Sequence, residues 1–217
     1  MLIPEYIIES VGDFIPLITL YAELHYRFKW IGSRYFQTEP EIIADIPYRI
    51  EPGEDLPLLL LIKDAHLYPI LLNTVTVNLF QSDNIIKTYS FNQNIELNQH
   101  WWEKTIHISN ENIKGNIEIN TIFNYSINGF EKKCNTHNYP LSKISMLKTF
   151  IADQPFPNDG KVQYGDLHYH SNLTEDMVEF GAPLKDTLFS AKAMGLDFFC
   201  NTDHSYDLDD LPGSWKE

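Results

Sequence analysis

The stretch "NIEINTIFNYSI", residues 116–127, alternates apolar and polar side chains along most of its length. One side of the extended chain carries four large apolar or aromatic side chains: Ile117, Ile119, Phe123 and Tyr125. Because side chains of a β-strand alternate between two faces, this pattern predicts a strand with one buried face. "NTVTVNLF", residues 73–80, shows the same pattern with Val75, Val77 and Leu79, so we expect antiparallel sheets around a core.

Turn-forming sequences separate such strands between about Ile46 and His137. They are "EPGED" (51–55), "QSDN" (81–84), "SNENIKGN" (109–116) and "NG" (128–129). Short β-branched strands joined in this way predict a two-sheet sandwich of immunoglobulin-like type. We place this sandwich in a first domain of residues 1–155. Its opening segment, Met1–Pro40, fits either a long edge strand or a helix, and we favour the strand.

The composition excludes several classes of partner. The chain has 217 residues, a formal net charge of -14 and no cluster of Lys and Arg, so binding to nucleic-acid phosphates is not expected. No apolar run is long enough to cross a bilayer and the first residues lack a secretory signal, so we expect a cytoplasmic protein without a membrane partner. Cys134 and Cys200 are expected to be reduced thiols. The sequence leaves the oligomeric state open.

The pattern changes after the proline-containing segment 152–163, which has the composition of a linker. "VQYGDLHYH", residues 162–170, predicts a strand, and "LDFFCNTDH", residues 196–204, predicts a second strand that is apolar enough to be covered on both faces. The sequence between them predicts a helix that begins at Pro183 and ends at Gly195. The apolar stripe of this helix is expected to consist of Leu184, Leu188, Ala191 and Met194.

This β-α-β unit forms the predicted second domain, residues 161–217, and its crossover is long enough to make the strands parallel. Active sites of parallel α/β folds lie at the carboxyl ends of the strands, where imidazole and carboxylate groups accumulate in this sequence. Such groups converge on a divalent metal ion. The predicted metal ligands are His168, His170, Asp176 and His204. The carboxylates predicted to orient the histidine rings are Asp166 and Asp203.

The remaining polar residues receive a different interpretation. We interpret five histidines as surface or hydrogen-bonded residues: His25, His66, His100, His107 and His137. The acidic run Asp207, Asp209 and Asp210 is typical of a solvated loop, whereas Glu179 fits a metal ligand and a water-facing residue equally well. The sequence assigns no catalytic side chain.

The segments "GDLHYHSNLTEDM" (165–177) and "GLDFFCNTDHS" (195–205) resemble the first two motifs of the PHP domain, named for polymerase and histidinol phosphatase. The likeness is to the metallohydrolase branch in which a β-sandwich precedes this domain. It implies a barrel of parallel strands, a cluster of up to three Mn, Zn or Fe ions, and hydrolysis of a small ester or phosphoester by metal-activated water. It also matches the four predicted ligands to the metal-binding positions of the two motifs.

Further ligands of the PHP family lie downstream of these motifs, whereas this chain ends at Glu217. The resemblance therefore implies only the N-terminal part of such a domain. We expect this part to bind metal weakly and to have little activity alone.

Three alternatives compete with this interpretation. "HYHSNLTE" has the ligand order of a cupin, although a helix and a "TDH" strand follow where a cupin would continue as a hairpin. Amidohydrolases also begin with an HxH strand but generally lack "TDH" on the next one. In the third alternative the protein is a binding or scaffold protein with a degenerate PHP remnant.

Overall fold

A computed structural model of the chain describes residues 37–139, 145–158, 160–174 and 181–204. Most of the opening segment that we interpret as a strand lies outside these residues. The described part is mostly β. Its strands are β1 (Glu41–Asp45), β2 (Arg49–Ile50), β3 (Leu56–Lys63), β4 (Ile70–Gln81), β5 (Asn84–Leu97), β6 (Trp101–Ile108), β7 (Gly115–Ile127), β8 (Phe130–Asn135), β9 (Leu147–Ile151), β10 (Gly165–Tyr169) and β11 (Phe198–Asn201), and its helix is α1 (Leu184–Met194).

Nine of these strands form two sheets. The smaller sheet has the order β1-β3-β6, with β3 antiparallel to both neighbours. The larger sheet has the order β2-β9-β7-β4-β5, and β8 also pairs with β7. Hairpins join β4 to β5 and β7 to β8, so most of the larger sheet is antiparallel, while the short β2 runs parallel to β9.

A single hydrophobic cluster lies between the two sheets. Leu58 and Ile62 of β3 belong to it together with Val75 of β4 and Phe123 of β7, and all four side chains are fully buried. Apolar side chains at alternate positions of both sheets thus share one core, which is the arrangement of a β-sandwich. The alternation in residues 116–127 and 73–80 predicted these buried faces.

The predicted turns occur where the sequence placed them. β4 and β5 are joined by Ser82 and Asp83, and β7 and β8 by Asn128 and Gly129, and all four residues have positive φ. Two-residue hairpin loops of this kind match the twist of the flanking strands. Gly53 in "EPGED" also has positive φ, 86°.

The predicted fold class is wrong in its second half, because the described residues contain no α/β barrel unit. α1 lies against β3 and β2, and β10 and β11 form a separate two-stranded sheet. β3 explains why: Leu59 and Leu61 point away from the core cluster and are nevertheless buried. A strand that is apolar on both faces needs a second cover, and α1 lies on this strand.

The buried face of α1 agrees with the predicted stripe at Ala191 and differs from it at Leu184 and Leu188. Asp186, Ala191 and Ala193 are its buried residues, whereas Leu184 and Leu188 are 39% and 58% exposed. Small side chains allow a helix to approach a sheet closely, and the buried Asp186 carboxylate accepts a hydrogen bond from the Thr105 hydroxyl of β6.

The end of the helix agrees with the prediction from the sequence, whereas the burial of the strand that follows it does not. Gly195, with φ of 74°, ends the helix as expected: its N–H donates to Lys192 O, and Leu196 N–H donates to Ala191 O. The expected burial of β11 is wrong, since Phe198 is 40% exposed and Cys200 is exposed.

Contacts divide the chain into two compact units. One consists of Thr38–His168 and Leu184–Cys200 and contains both sheets of the sandwich and α1. The described residues of the other are Gln37, 169–174, 181–183 and 201–204. The two predicted domains, 1–155 and 161–217, stay a prediction. Among the described residues, no helix combines the length and apolar character that crossing a bilayer requires.

The two thiols are expected to differ in reactivity. Cys134 packs against the core, and burial, together with the nearby Glu39 carboxylate, raises the pKa of its thiol to about 12. At pH 8 only about one Cys134 in ten thousand is then a thiolate, the form that reacts with alkylating agents. We expect iodoacetamide to modify the exposed Cys200 first, as peptide mass spectrometry would show. Equal rates for the two cysteines in the folded protein would contradict this environment for Cys134.

Candidate metal centre

β10 and β11 run in the same direction and end side by side. Asp197 N–H donates to Tyr164 O at 2.7 Å, and five residues further along each strand Thr202 N–H donates to Tyr169 O, also at 2.7 Å. Parallel strands in register bring the residues that follow them to the same edge of the sheet. His170 follows β10 directly, and His204 stands three residues beyond β11.

His170 and His204, which we call the histidine pair, are in ring contact. Their ring centroids are 4.9 Å apart and their planes make an angle of 67°. Thr174 connects the two residues, because its Oγ1 accepts the His204 backbone N–H at 3.1 Å and lies 3.4 Å from His170 Nδ1.

The Thr174 hydroxyl is compatible with one tautomer of His170 as a hydrogen-bond donor. This hydroxyl donates its one hydrogen to Asp203 Oδ1 at 2.9 Å, so it can only accept from His170 Nδ1. A hydrogen bond across this 3.4 Å contact requires the imidazole proton on Nδ1, and the Nε2 lone pair of that tautomer is the one that could bind a metal ion.

Asp203 holds the turn that follows β10. Its Oδ1 accepts from the Ser171 N–H at 2.6 Å as well as from Thr174, and its Oδ2 accepts from the Ser171 hydroxyl at 2.6 Å and from Asn201 Nδ2 at 2.7 Å. Burial acts to raise the pKa of this carboxyl, but the bonds from Ser171, Asn201 and Thr174 outweigh it and lower the pKa below its ordinary value. The ionised carboxylate, with four hydrogen bonds, fixes residues 171–174.

Gly181 also contacts the turn that follows β10. Its N–H donates to Ser171 O at 3.0 Å, and a Cβ at this position would lie 1.6 Å from His170 O. The Tyr169 hydroxyl donates to Ala182 O at 2.5 Å in the same place. A residue without a side chain is therefore required where the chain returns to His170.

The other predicted site residues are placed as follows. His168 and Asp166 lie in β10, and Asp166 Oδ1 accepts the His168 backbone N–H at 3.0 Å. The hydrogen bonds of the Asp203 carboxylate reach the histidine pair through the Thr174 hydroxyl, which contacts both His170 and His204. Asp176 and Glu179 lie outside the described residues, as does the acidic run after residue 204. The assignment of these residues to a metal site stays a prediction.

Sequence reasoning did not single out Ser171, Thr174 or Asn201. The segment "HSNLT" contains a local signal, because Ser and Thr after a strand often fold back onto backbone groups. The Leu173 N–H indeed donates to Ser171 Oγ at 3.1 Å. The partner of both hydroxyls, Asp203, is some thirty residues away, so only the pairing of β10 with β11 reveals the network.

Comparison with known proteins gives no match, either to a family model or to a curated protein sequence.

Proposed function

We propose that the protein is a metal-dependent hydrolase whose metal ion is held in part by the histidine pair. The observation that carries the proposal is the ring contact of His170 and His204 at the ends of two parallel strands. Neutral imidazole suits Zn²⁺ and Fe²⁺, and a hydrogen bond from His170 Nδ1 to the Thr174 hydroxyl would leave Nε2 to bind the ion.

The donor set fits a divalent ion but is half of a tetrahedral set, so further ligands are part of the proposal. His168 and Asp176 are the proposed additions, on the basis of the motifs that resemble those of the PHP domain. Asp203 is a positioning residue, because its four hydrogen bonds hold the turn that carries Thr174. A bound divalent ion would supply an acidified water and stabilisation of negative charge during ester hydrolysis.

The substrate class is an ester or phosphoester of a small molecule, and the support for it is the sequence resemblance. Membership of the PHP family is part of the proposal, although α1, β10 and β11 do not build the barrel unit that the resemblance implied. The cytoplasmic location also stays a prediction from the sequence.

The proposal is tested with the 217-residue chain, freed of metal by a chelator and reloaded with Mn²⁺, Zn²⁺ or Fe²⁺. We expect slow hydrolysis of at least one of three probes, p-nitrophenyl phosphate, bis(p-nitrophenyl) phosphate and p-nitrophenyl acetate. The hydrolysis should require metal and should fall to the rate of metal in buffer in the variant His170→Ala/His204→Ala.

The matched control is His107→Ala, which removes an exposed histidine of β6 and should keep the wild-type rate. Hydrolysis that is absent with every metal, or that is equal in the double variant and the wild type, would favour the binding-protein alternative.

A further inference from the structure

Three potential metal ligands converge at one end of the smaller sheet, in the unit that contains the sandwich and apart from the histidine pair in sequence. They are Asp64, His66 and His100, which we call the Asp64 cluster. Each offers one ligand atom, and the three atoms all lie within 4.8 Å of one another. From the sequence we interpreted both histidines as ordinary surface or hydrogen-bonded residues.

Strand pairing brings Asp64 and His100 together. β3 and β6 are antiparallel, and Lys63 is the backbone partner of Trp101. Asp64 and His100 are the next residues outward from this pair, and the Asp64 N–H donates to His100 O at 2.7 Å. The position of both residues is thus fixed by the ladder of the sheet and not by a loop alone.

A tight turn returns His66 to the same place. Asp64 has a positive φ of 68°, and its carbonyl accepts hydrogen bonds from Leu67 N–H at 3.1 Å and Tyr68 N–H at 3.3 Å. Aspartate tolerates this left-handed conformation better than most residues. The turn places the His66 ring with its centroid 4.7 Å from that of His100.

The ligand atoms of Asp64 and His100 are spaced like two ligands of one metal ion, and the His66 ligand atom lies within 4.8 Å of both. His100 Nε2 lies 3.1 Å from Asp64 Oδ1. Metal–ligand bonds of about 2.0–2.1 Å in a tetrahedral Zn²⁺ site set neighbouring ligand atoms about 3.3 Å apart. Two imidazoles and one carboxylate form a ligand set of borderline softness, which Zn²⁺ and related transition metals prefer to Mg²⁺ or Ca²⁺. The His66 and His100 side chains are exposed, so water can complete the coordination.

Lys63 is the group that opposes a cation here. Its Nζ lies 3.4 Å from Asp64 Oδ2 and 5.9 Å from the centre of the Trp101 ring. It therefore contacts the second carboxylate oxygen, whereas Oδ1 faces His100. An ion pair between protonated His100 and Asp64 is the alternative arrangement, and it would give His66 no role.

We propose that Asp64, His66 and His100 form a second metal site, which takes a divalent transition-metal ion of the zinc type. The inference is independent of the proposed hydrolase function, because none of the three residues belongs to the predicted site at the ends of β10 and β11. The site joins the turn after β3 to the start of β6, so a bound ion would also fasten this end of the smaller sheet.

The test uses Zn²⁺ as the probe and the 217-residue chain carrying His170→Ala/His204→Ala, so that the proposed hydrolase site does not contribute. Competition with a chromophoric chelator measures the affinity. Adding either His66→Ala or His100→Ala should weaken Zn²⁺ binding at least about tenfold, since even changes outside the ligand shell cost that much. Asp64→Asn, which keeps the shape of the side chain, should weaken it to a similar degree.

The matched control is His107→Ala, which changes an exposed histidine of β6, the strand that begins directly after His100. This variant should leave the affinity unchanged. Circular dichroism checks that each variant is folded. If His66→Ala binds Zn²⁺ as tightly as its parent, or if His107→Ala weakens binding as much as His100→Ala, the site assignment is wrong and the ion-pair arrangement is the better description.

Discussion

The variant Phe123→Ala is expected to lose about 3–5 kcal/mol of unfolding free energy, the usual cost of removing a large aromatic side chain from a packed core. Phe123 lies in the central part of β7, is 0% exposed and belongs to the cluster shared by both sheets. Its backbone partners are Val75 of β4 and Cys134 of β8, so neighbouring strands on both sides limit how far the cavity can collapse.

Urea unfolding followed by circular dichroism measures this effect. With a slope of about 2 kcal/mol per M, the midpoint should fall by about 2 M. The control is Phe130→Ala, because Phe130 lies at the start of β8 and is 73% exposed. Its loss should change the stability by less than about 0.5 kcal/mol. Similar midpoints for the two variants would contradict a core between the two sheets.

The second large effect is expected for Asp203→Asn, which keeps the size of the side chain and removes its charge. An amide accepts hydrogen bonds only at its oxygen, whereas its NH2 group donates them. In either orientation of the amide, this NH2 group would face two donors: the Ser171 N–H and the Thr174 hydroxyl, or the Ser171 hydroxyl and Asn201 Nδ2. Loss of charge-assisted bonds should destabilise the turn 171–174 by about 2–4 kcal/mol.

Hydrogen exchange separates this local effect from global unfolding. The Ser171 and Leu173 amides donate within the network, and their exchange should accelerate about thirtyfold or more, as a loss of about 2 kcal/mol requires. Amides of β4 and β7 should be unaffected. The control Asp153→Asn changes an exposed aspartate and should leave all of these rates unchanged. Unaltered protection of Ser171 in Asp203→Asn would show that the carboxylate does not hold the turn.

The strands and hairpins of the sandwich could be predicted because their signals are local. Val75, Val77 and Phe123 fall on the buried face by alternation alone, and all three are fully buried. Asn128 and Gly129 form the β7–β8 turn because both can adopt the positive φ values that the turn requires. Such signals depend on the backbone of a few adjacent residues and need no knowledge of the rest of the fold.

The position of α1 could not be predicted in the same way. Hydrophobicity favours Leu184 and Leu188 as its buried face, yet Asp186 and Ala193 are buried instead. The outer face of β3 selects that side of the helix, and the Thr105 hydroxyl provides the hydrogen bond that allows Asp186 to be buried. Both partners are far away in sequence, so the periodicity of the helix carries no information about them.

The candidate sites also combine residues with a local sequence signal and partners that only the fold brings together. "HYH" and "TDH" drew attention to His170 and His204, and the structure brings their rings together. The Asp203, Ser171 and Thr174 network depends on the pairing of two strands about thirty residues apart. The Asp64 cluster depends on the register between β3 and β6, and nothing local to His66 or His100 indicates it.

The most direct test of the account is the metal content of the chain after equilibrium dialysis against Zn²⁺. The parent carries His66→Ala/His100→Ala, which removes the Asp64 cluster from the measurement. We expect this parent to bind about one ion per chain, weakly, and the further change His170→Ala/His204→Ala to abolish that binding, because only His168 and Asp176 of the four proposed ligands would remain. Equal metal content with and without the histidine pair would contradict the proposal that His170 and His204 hold a metal ion.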